Sequence, residues 1–215
     1  MKLTMVYDNE VFTQDRGLRS DWGFSCLIET GYEVILFDTG ADGNILVRNM
    51  DLLGIDPNAI DKVVISHEHR DHFGGLKALI ERSAGPPVYR LIEDPALQDV
   101  EQIVVDGQKE ISKNVFTTGP LTEGPVPEQS LYLECGDGWY VLTGCSHPGI
   151  ENILASGKDR PVKGLIGGFH GFRELDRLSG LSLVCPAHCT KEKERILRRY
   201  PGSAVKAGVG RVLEM

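Results

Sequence analysis

The 215-residue sequence is 41% hydrophobic and 25% charged, with a formal net charge of −8. That length and balance fit one globular domain, 1–215, able to bury a sizeable core, and exclude a disordered or fibrous chain. The acidic balance argues against an extended basic surface, and no apolar run of about 18 residues is available to span a bilayer, so neither a nucleic-acid nor a membrane partner is expected. The opening Met1-Lys-Leu-Thr-Met-Val-Tyr-Asp8 lacks the basic segment, apolar core and cleavage site of a secretory signal, so a cytoplasmic location is expected. Cys26, Cys135, Cys145, Cys185 and Cys189 form an odd, irregularly spaced set, which argues against a disulfide framework. They read as buried thiols, because a soft thiolate suits a structural zinc better than an open hydrolytic site.

Residues 2–7 alternate as a short strand, and the polar stretch 8–23 after it is too long for a hairpin turn. It contains Arg16, Arg19 and Trp22, a combination able to hold a phosphate or carboxylate while stacking on a ring. Segments 24–29 and 33–37 read as a hairpin around Thr30-Gly31-Tyr32 that ends at Asp38. Asp38-Thr39-Gly40 raises the aspartic proteases as a rival, but those need a second catalytic aspartate in a nearly all-β framework and use no histidine. This sequence offers helical patterns and six histidines. Asp38 is therefore read as an acceptor for the second ring nitrogen of a metal-ligating histidine. Residues 43–53 carry Ile45, Leu46, Met50 and Leu53 at helical spacing, and Gly54 with Pro57 stops that helix.

A strand at 62–66 then runs into His67, His69, Asp71 and His72. Residues two apart in an extended segment point to one side, so His67 and His69 leave the strand together while Glu68 and Arg70 turn toward the surface or neighbouring loops. Asp71 and His72 fall on the turn entering a helix announced by Gly74, Gly75, Leu76, Leu79 and Ile80, which ends near Gly85-Pro-Pro87. These side chains suit two divalent cations roughly 3.5–4 Å apart, holding a hydroxide and a substrate oxygen between them.

Short strands are expected at 88–92, 101–105, 109–112 and 114–117, and the dense Gly/Pro stretch 119–127 divides the sequence into halves. Strands 130–135 and 138–143 precede His147 and a helix at 149–156. A helix start beside a metal is a ready anion site, which makes Asn152 a candidate substrate contact. Strand 162–166 precedes His170, strand 181–184 precedes His188, 190–200 is a charged helix, and apolar runs at 203–205 and 211–213 close the chain. In an open parallel sheet the carboxyl ends of the strands converge on one crevice, so the six histidines are expected at one edge. Strands and helices mixed in both halves suggest two sheets packed face to face with helices outside.

His67-x-His69-x-Asp71-His72 followed by Gly-Gly resembles the signature of the metallo-β-lactamase-fold superfamily. Asp8-Asn9, Phe37-Asp-Thr-Gly40, Gly144-Cys-Ser-His-Pro-Gly149, Gly167-Gly-Phe-His170 and Pro186-Ala-His-Cys-Thr190 resemble its dihydropterin-related branch. The resemblance implies an α/β (α+β) fold, a four-layer αβ/βα sandwich of two mixed β-sheets. It implies that His67, His69 and His147 hold one cation and Asp71, His72 and His188 the other, with zinc favoured and manganese or iron as alternatives. Water bound to metal would attack a small anionic, phosphorylated or acyl substrate, with Asp71 receiving or relaying the proton. A pterin-related synthase and a non-catalytic metal-binding protein are the alternative readings, and the oligomeric state stays open. Better-known hydrolases of this superfamily commonly place a metal-bridging Asp after the strand that here delivers Gly-Gly-Phe-His170. His170 is therefore expected at the metal site, as a terminal ligand or a donor to bound substrate.

Overall fold

The computed structural model describes residues 1–12, 17–136, 138–158 and 160–215. The chain falls into two compact units, one formed by Met1–Asp106 with Gly208–Met215 and the other by Gly107–Ala207.

In the first unit β1 (Lys2–Tyr7), β2 (Ser25–Glu29), β3 (Val34–Phe37), β4 (Lys62–Val64), β5 (Val88–Arg90) and β6 (Gln102–Val104) form a seven-stranded sheet with the last strand of the chain, Val212–Glu214, beside β1. The pairs from that last strand through β3 are antiparallel, and β3 through β6 are parallel. Connection length decides which. The turn between β2 and β3 is closed by Thr30 Oγ1, which accepts from the amides of Tyr32 and Glu33, whereas a parallel neighbour needs a long crossover. That crossover is α1 (Gly43–Leu53), which opens on Asp42 accepting from the amides of Asn44 and Ile45 and closes on Gly54 at φ 71°. Leu46 and Met50 of α1 pack with Leu76 and Leu79 against Val6, Leu27, Leu36 and Val63 of the sheet, so the predicted helix stripe is the core face.

The structure differs from the sequence reading just after β4. Asp71 and His72 lie inside a one-turn helix, α2 (Arg70–Phe73), and a separate α3 (Leu76–Arg82) follows. The break comes from hydrogen-bond partners outside the helix. The Asp71 carbonyl accepts from the Phe24 amide, and the Gly75 amide donates to the Gly40 carbonyl at 3.1 Å, so the helical ladder has no bond to make there. Gly74 and Gly75 permit this approach: a Cβ on them would lie 2.4 Å from the Ala41 oxygen and 2.2 Å from the Thr39 oxygen.

The second unit repeats the plan. β7 (Lys109–Ser112), β8 (Val115–Thr117), β9 (Leu131–Cys135), β10 (Gly138–Thr143), β11 (Val162–Gly168) and β12 (Leu183–Ala187) form a six-stranded sheet in the order β12-β11-β10-β9-β8-β7. β7 to β10 are antiparallel and β10 to β12 parallel. α4 (Ile150–Ser156) and α5 (Lys193–Arg199) supply Ile150, Ile153 and Ile196 to a core with Tyr132, Val141, Leu165 and Val184. β12 runs past the predicted end at 184 through Cys185-Pro186-Ala187, which a proline permits because β12 is the edge of its sheet. Among the described residues no helix is long and apolar enough to cross a membrane.

Candidate metal centre

In the first unit the candidate ligands stand at the carboxyl ends of β3 and β4. Asp38, fully buried, follows β3 with φ 59°. Its carboxylate accepts from the Ser66 amide at 2.7 Å and the Ser66 hydroxyl at 2.8 Å, and it lies 2.7 Å from His72 Nδ1. As a carboxylate Asp38 only accepts, so His72 carries its proton on Nδ1 and keeps a lone pair on Nε2. The same logic passes through Ser66. Its hydroxyl proton goes to Asp38, so its oxygen accepts from His67 Nδ1 at 2.9 Å, which leaves the lone pair of His67 on Nε2.

These lone pairs meet partners. His67 Nε2 and His69 Nδ1 are 3.1 Å apart, and His72 Nε2 is 3.6 Å from Asp71 Oδ2. A tetrahedral zinc ion with bonds of about 2.0–2.1 Å spaces two such donors roughly 3.3 Å apart. Nitrogen and carboxylate donors at these separations fit divalent cations, one at each pair. The rings of His67 and His72 sit 4.1 Å apart, so the two pairs are neighbours. Glu68, between the ligand histidines, is partly exposed and clamps the buried Arg90 of β5, 2% exposed, with contacts of 2.5 and 3.3 Å.

In the second unit the loops after β10, β11 and β12 bring the other candidates. Glu128, fully buried, accepts from the amides of Cys145, Ser146 and His147 at 2.8–3.0 Å and from the Thr143 hydroxyl at 3.0 Å. It pins the turn that presents His147. The His147 ring lies 5.1 Å from that of His170, which is exposed. His188, buried, lies with Cys145 and Cys189. Thr190 ties the last two loops together, donating to the Ala187 carbonyl and accepting from the Phe169 amide. Ser146, His170 and His188 have φ of 61°, 41° and 45°. This left-handed backbone costs an L-residue about 1–2 kcal/mol, and such strain gathers where a side chain must be aimed.

Of the proposed substrate contacts, Arg16 lies outside the described residues. Arg19 is exposed, with its main chain held by the Asn49 side chain at 2.9 and 2.8 Å. The Asn152 amide donates to the Pro148 carbonyl at 2.8 Å. Arg70, read from the sequence as serving the surface or neighbouring loops, is exposed, and it lines a cavity of the first unit with Asp21, Trp22, Asp42 and Asp71. Sequence reasoning missed Ser66, Glu128, Thr190 and Arg90. Ser66 was signalled only by its place beside His67, and Glu128 only as an acid shortly before the apolar strand that opens at Leu131.

The sequence matches the family described as the metallo-beta-lactamase superfamily over residues 23–188. It is 25% identical to the 7,8-dihydropterin-6-methyl-4-(beta-D-ribofuranosyl)-aminobenzene-5'-phosphate synthase of Methanocaldococcus jannaschii, over 91% of this chain and 90% of that one. It is 31% identical to the hydroxyacylglutathione hydrolase of Serratia proteamaculans, over 72% of this chain and 56% of that one. The crystal structure of Tm1679, described as a metal-dependent hydrolase of the beta-lactamase superfamily, has a TM-score of 0.82 at 29% identity, covering 100% of this chain and 99% of that one. The shared architecture is two mixed β-sheets with helices outside.

Proposed function

Because the chain belongs to the metallo-beta-lactamase superfamily, we propose that residues 1–215 act as one domain, a metal-dependent hydrolase of a small anionic substrate, phosphorylated or acyl. The observation that carries this reading is the 3.1 Å approach of His67 Nε2 to His69 Nδ1, with the His67 proton fixed on the far nitrogen through Ser66. His67, His69 and His147 are the proposed holders of one divalent cation, and Asp71, His72 and His188 of another, with zinc favoured by the nitrogen-rich donor set. When bound, such ions would lower the pKa of a water they hold to near 7 and polarise a carbonyl or phosphoryl oxygen.

The protein's own groups complete the chemistry. Asp38 and Ser66 hold the imidazoles in the tautomers that present lone pairs. Asp71 is the proposed group to receive or relay the proton released as water attacks, on the carboxylate oxygen that does not face His72. His170, exposed beside His147, donates to bound substrate or ligates. Arg70 and Trp22, which share a cavity with Asp71, are the proposed cation and ring for the anionic end of the substrate, the task the sequence reading gave to Arg16, Arg19 and Trp22.

The test is metal content together with turnover of a phosphodiester, a glutathione thioester and a chromogenic lactam. About two metal equivalents per chain and hydrolysis of at least one probe are expected. His67→Ala and His69→Ala should each lower metal content and abolish hydrolysis, and a double alanine variant that kept both equivalents would overturn the ligand assignment. A second reading, a pterin-related synthase, draws on likeness along 91% of this chain and 90% of the dihydropterin enzyme. A pterin retained through purification would favour it.

A further inference from the structure

Cys145 follows β10 by two residues, and His188 and Cys189 follow β12 directly. The two strands lie either side of β11 and run parallel to it. The His188 ring nitrogen and the two sulfurs all lie within 4.8 Å of one another, and His188, Cys145 and Cys189 are 2%, 3% and 7% exposed. Gly168 makes the space for them: a Cβ there would stand 2.7 Å from Cys189 Sγ and 3.2 Å from Cys145 Cα. Cys26, Cys135 and Cys185 are buried too, yet none joins such a donor group among the described residues.

A tetrahedral zinc ion with Zn–S bonds of about 2.3 Å spaces two sulfurs roughly 3.8 Å apart, so the cluster needs little closure to become a ligand set. We propose that Cys145 and Cys189 join His188 in holding a thiophilic divalent cation, both as thiolates. On binding, each thiol loses its proton to solvent, two sulfur–metal bonds form, and no electron is transferred. The inference rests on the hydrolase reading only through His188. It reverses the expectation that these thiols merely pack, and it makes the ion at His188 softer in its preference, favouring zinc, cobalt or cadmium over manganese or magnesium.

Cobalt(II) titration of the full chain tests it. Cobalt in a nitrogen and oxygen site absorbs in the visible, whereas a thiolate adds a charge-transfer band in the near ultraviolet. The near-ultraviolet band should grow with added cobalt, fall by about half in Cys145→Ser and in Cys189→Ser, and vanish in the double variant. Cys26→Ser and Cys185→Ser should keep it in full. X-ray absorption of the unsubstituted zinc-loaded protein should find sulfur at about 2.3 Å, which decides the matter even if a serine variant fails to fold. Visible cobalt bands without the near-ultraviolet band, or a band that survives in the double variant, overturn the proposal and leave the hydrolase reading standing. Failure to bind cobalt at all removes both.

Discussion

A single buried carboxylate orients two of the three imidazoles in the first unit's donor pairs: Asp38 reaches His72 directly and His67 through the Ser66 hydroxyl. Asp38→Asn puts an amide in its place, and the tautomers of the two rings are no longer dictated by an acceptor-only partner. Zinc affinity should fall roughly 10–100-fold, read by competition with a chromophoric chelator, as for other groups that orient metal-ligating histidines. An unchanged affinity would remove Asp38 from that role. Glu128 works on main chain instead. Glu128→Gln keeps the shape but turns half of an acceptor into a donor facing the amides of Cys145, Ser146 and His147. Buried amides left unsatisfied should cost about 3 kcal/mol in urea unfolding, and a variant as stable as the parent would show that the cradle is dispensable.

Among the elements, α2 is the one whose form depends most on its surroundings. It ends after one turn because Gly75 bonds to Gly40 and because both glycines after it abut main-chain oxygens. Gly75→Ala would place a methyl 2.2 Å from the Thr39 oxygen, and backbone must move to admit it. A loss of about 2–3 kcal/mol is expected, together with weaker metal binding, because His72 is carried on the same turn. Gly54, the cap of α1 at φ 71°, has nothing within 4 Å of a built Cβ. Gly54→Ala should cost only the left-handed penalty of about 1 kcal/mol and leave metal affinity intact. Equal effects of the two substitutions on stability and metal content would refute the distinction between a close approach and a cap.

At the scale of the whole molecule, metal binding and stability should be one measurement. Each ion that binds only the folded chain adds stability by mass action, about 2.7 kcal/mol when that ion is free at a hundredfold above its Kd. For a domain of this size that is a rise in Tm of roughly 5–10 °C. Thermal melts of chelator-treated and zinc-loaded protein should differ by that amount for each ion bound, and the difference should shrink in the His67→Ala and His69→Ala double variant as its metal content falls. Melts that coincide in the parent protein would contradict a folded-state metal centre.

The hairpin at Thr30, the cap and apolar stripe of α1 and the histidine motif after β4 were all legible in the sequence, whereas the division expected at 119–127 falls instead between Asp106 and Gly107, because β7 and β8 pair with β9 in the second sheet. Each legible feature is a local pattern, set by residues within a turn or two of one another. The dense spacing of His67, His69, Asp71 and His72 pointed to a metal-binding family for the same reason. Only the tertiary structure decided that Glu128 holds the amides 17 to 19 residues ahead of it, that Asp38 finds His72 across 34 residues, and that the Cys145 sulfur lies within 4.8 Å of that of Cys189. It also cut the helix after Phe73 and extended β12 through a proline. A buried polar group must be satisfied by whatever the fold brings beside it. Periodicity along the chain says which side chains go inside, but the identity of the neighbour that meets each one is settled by contacts between distant segments.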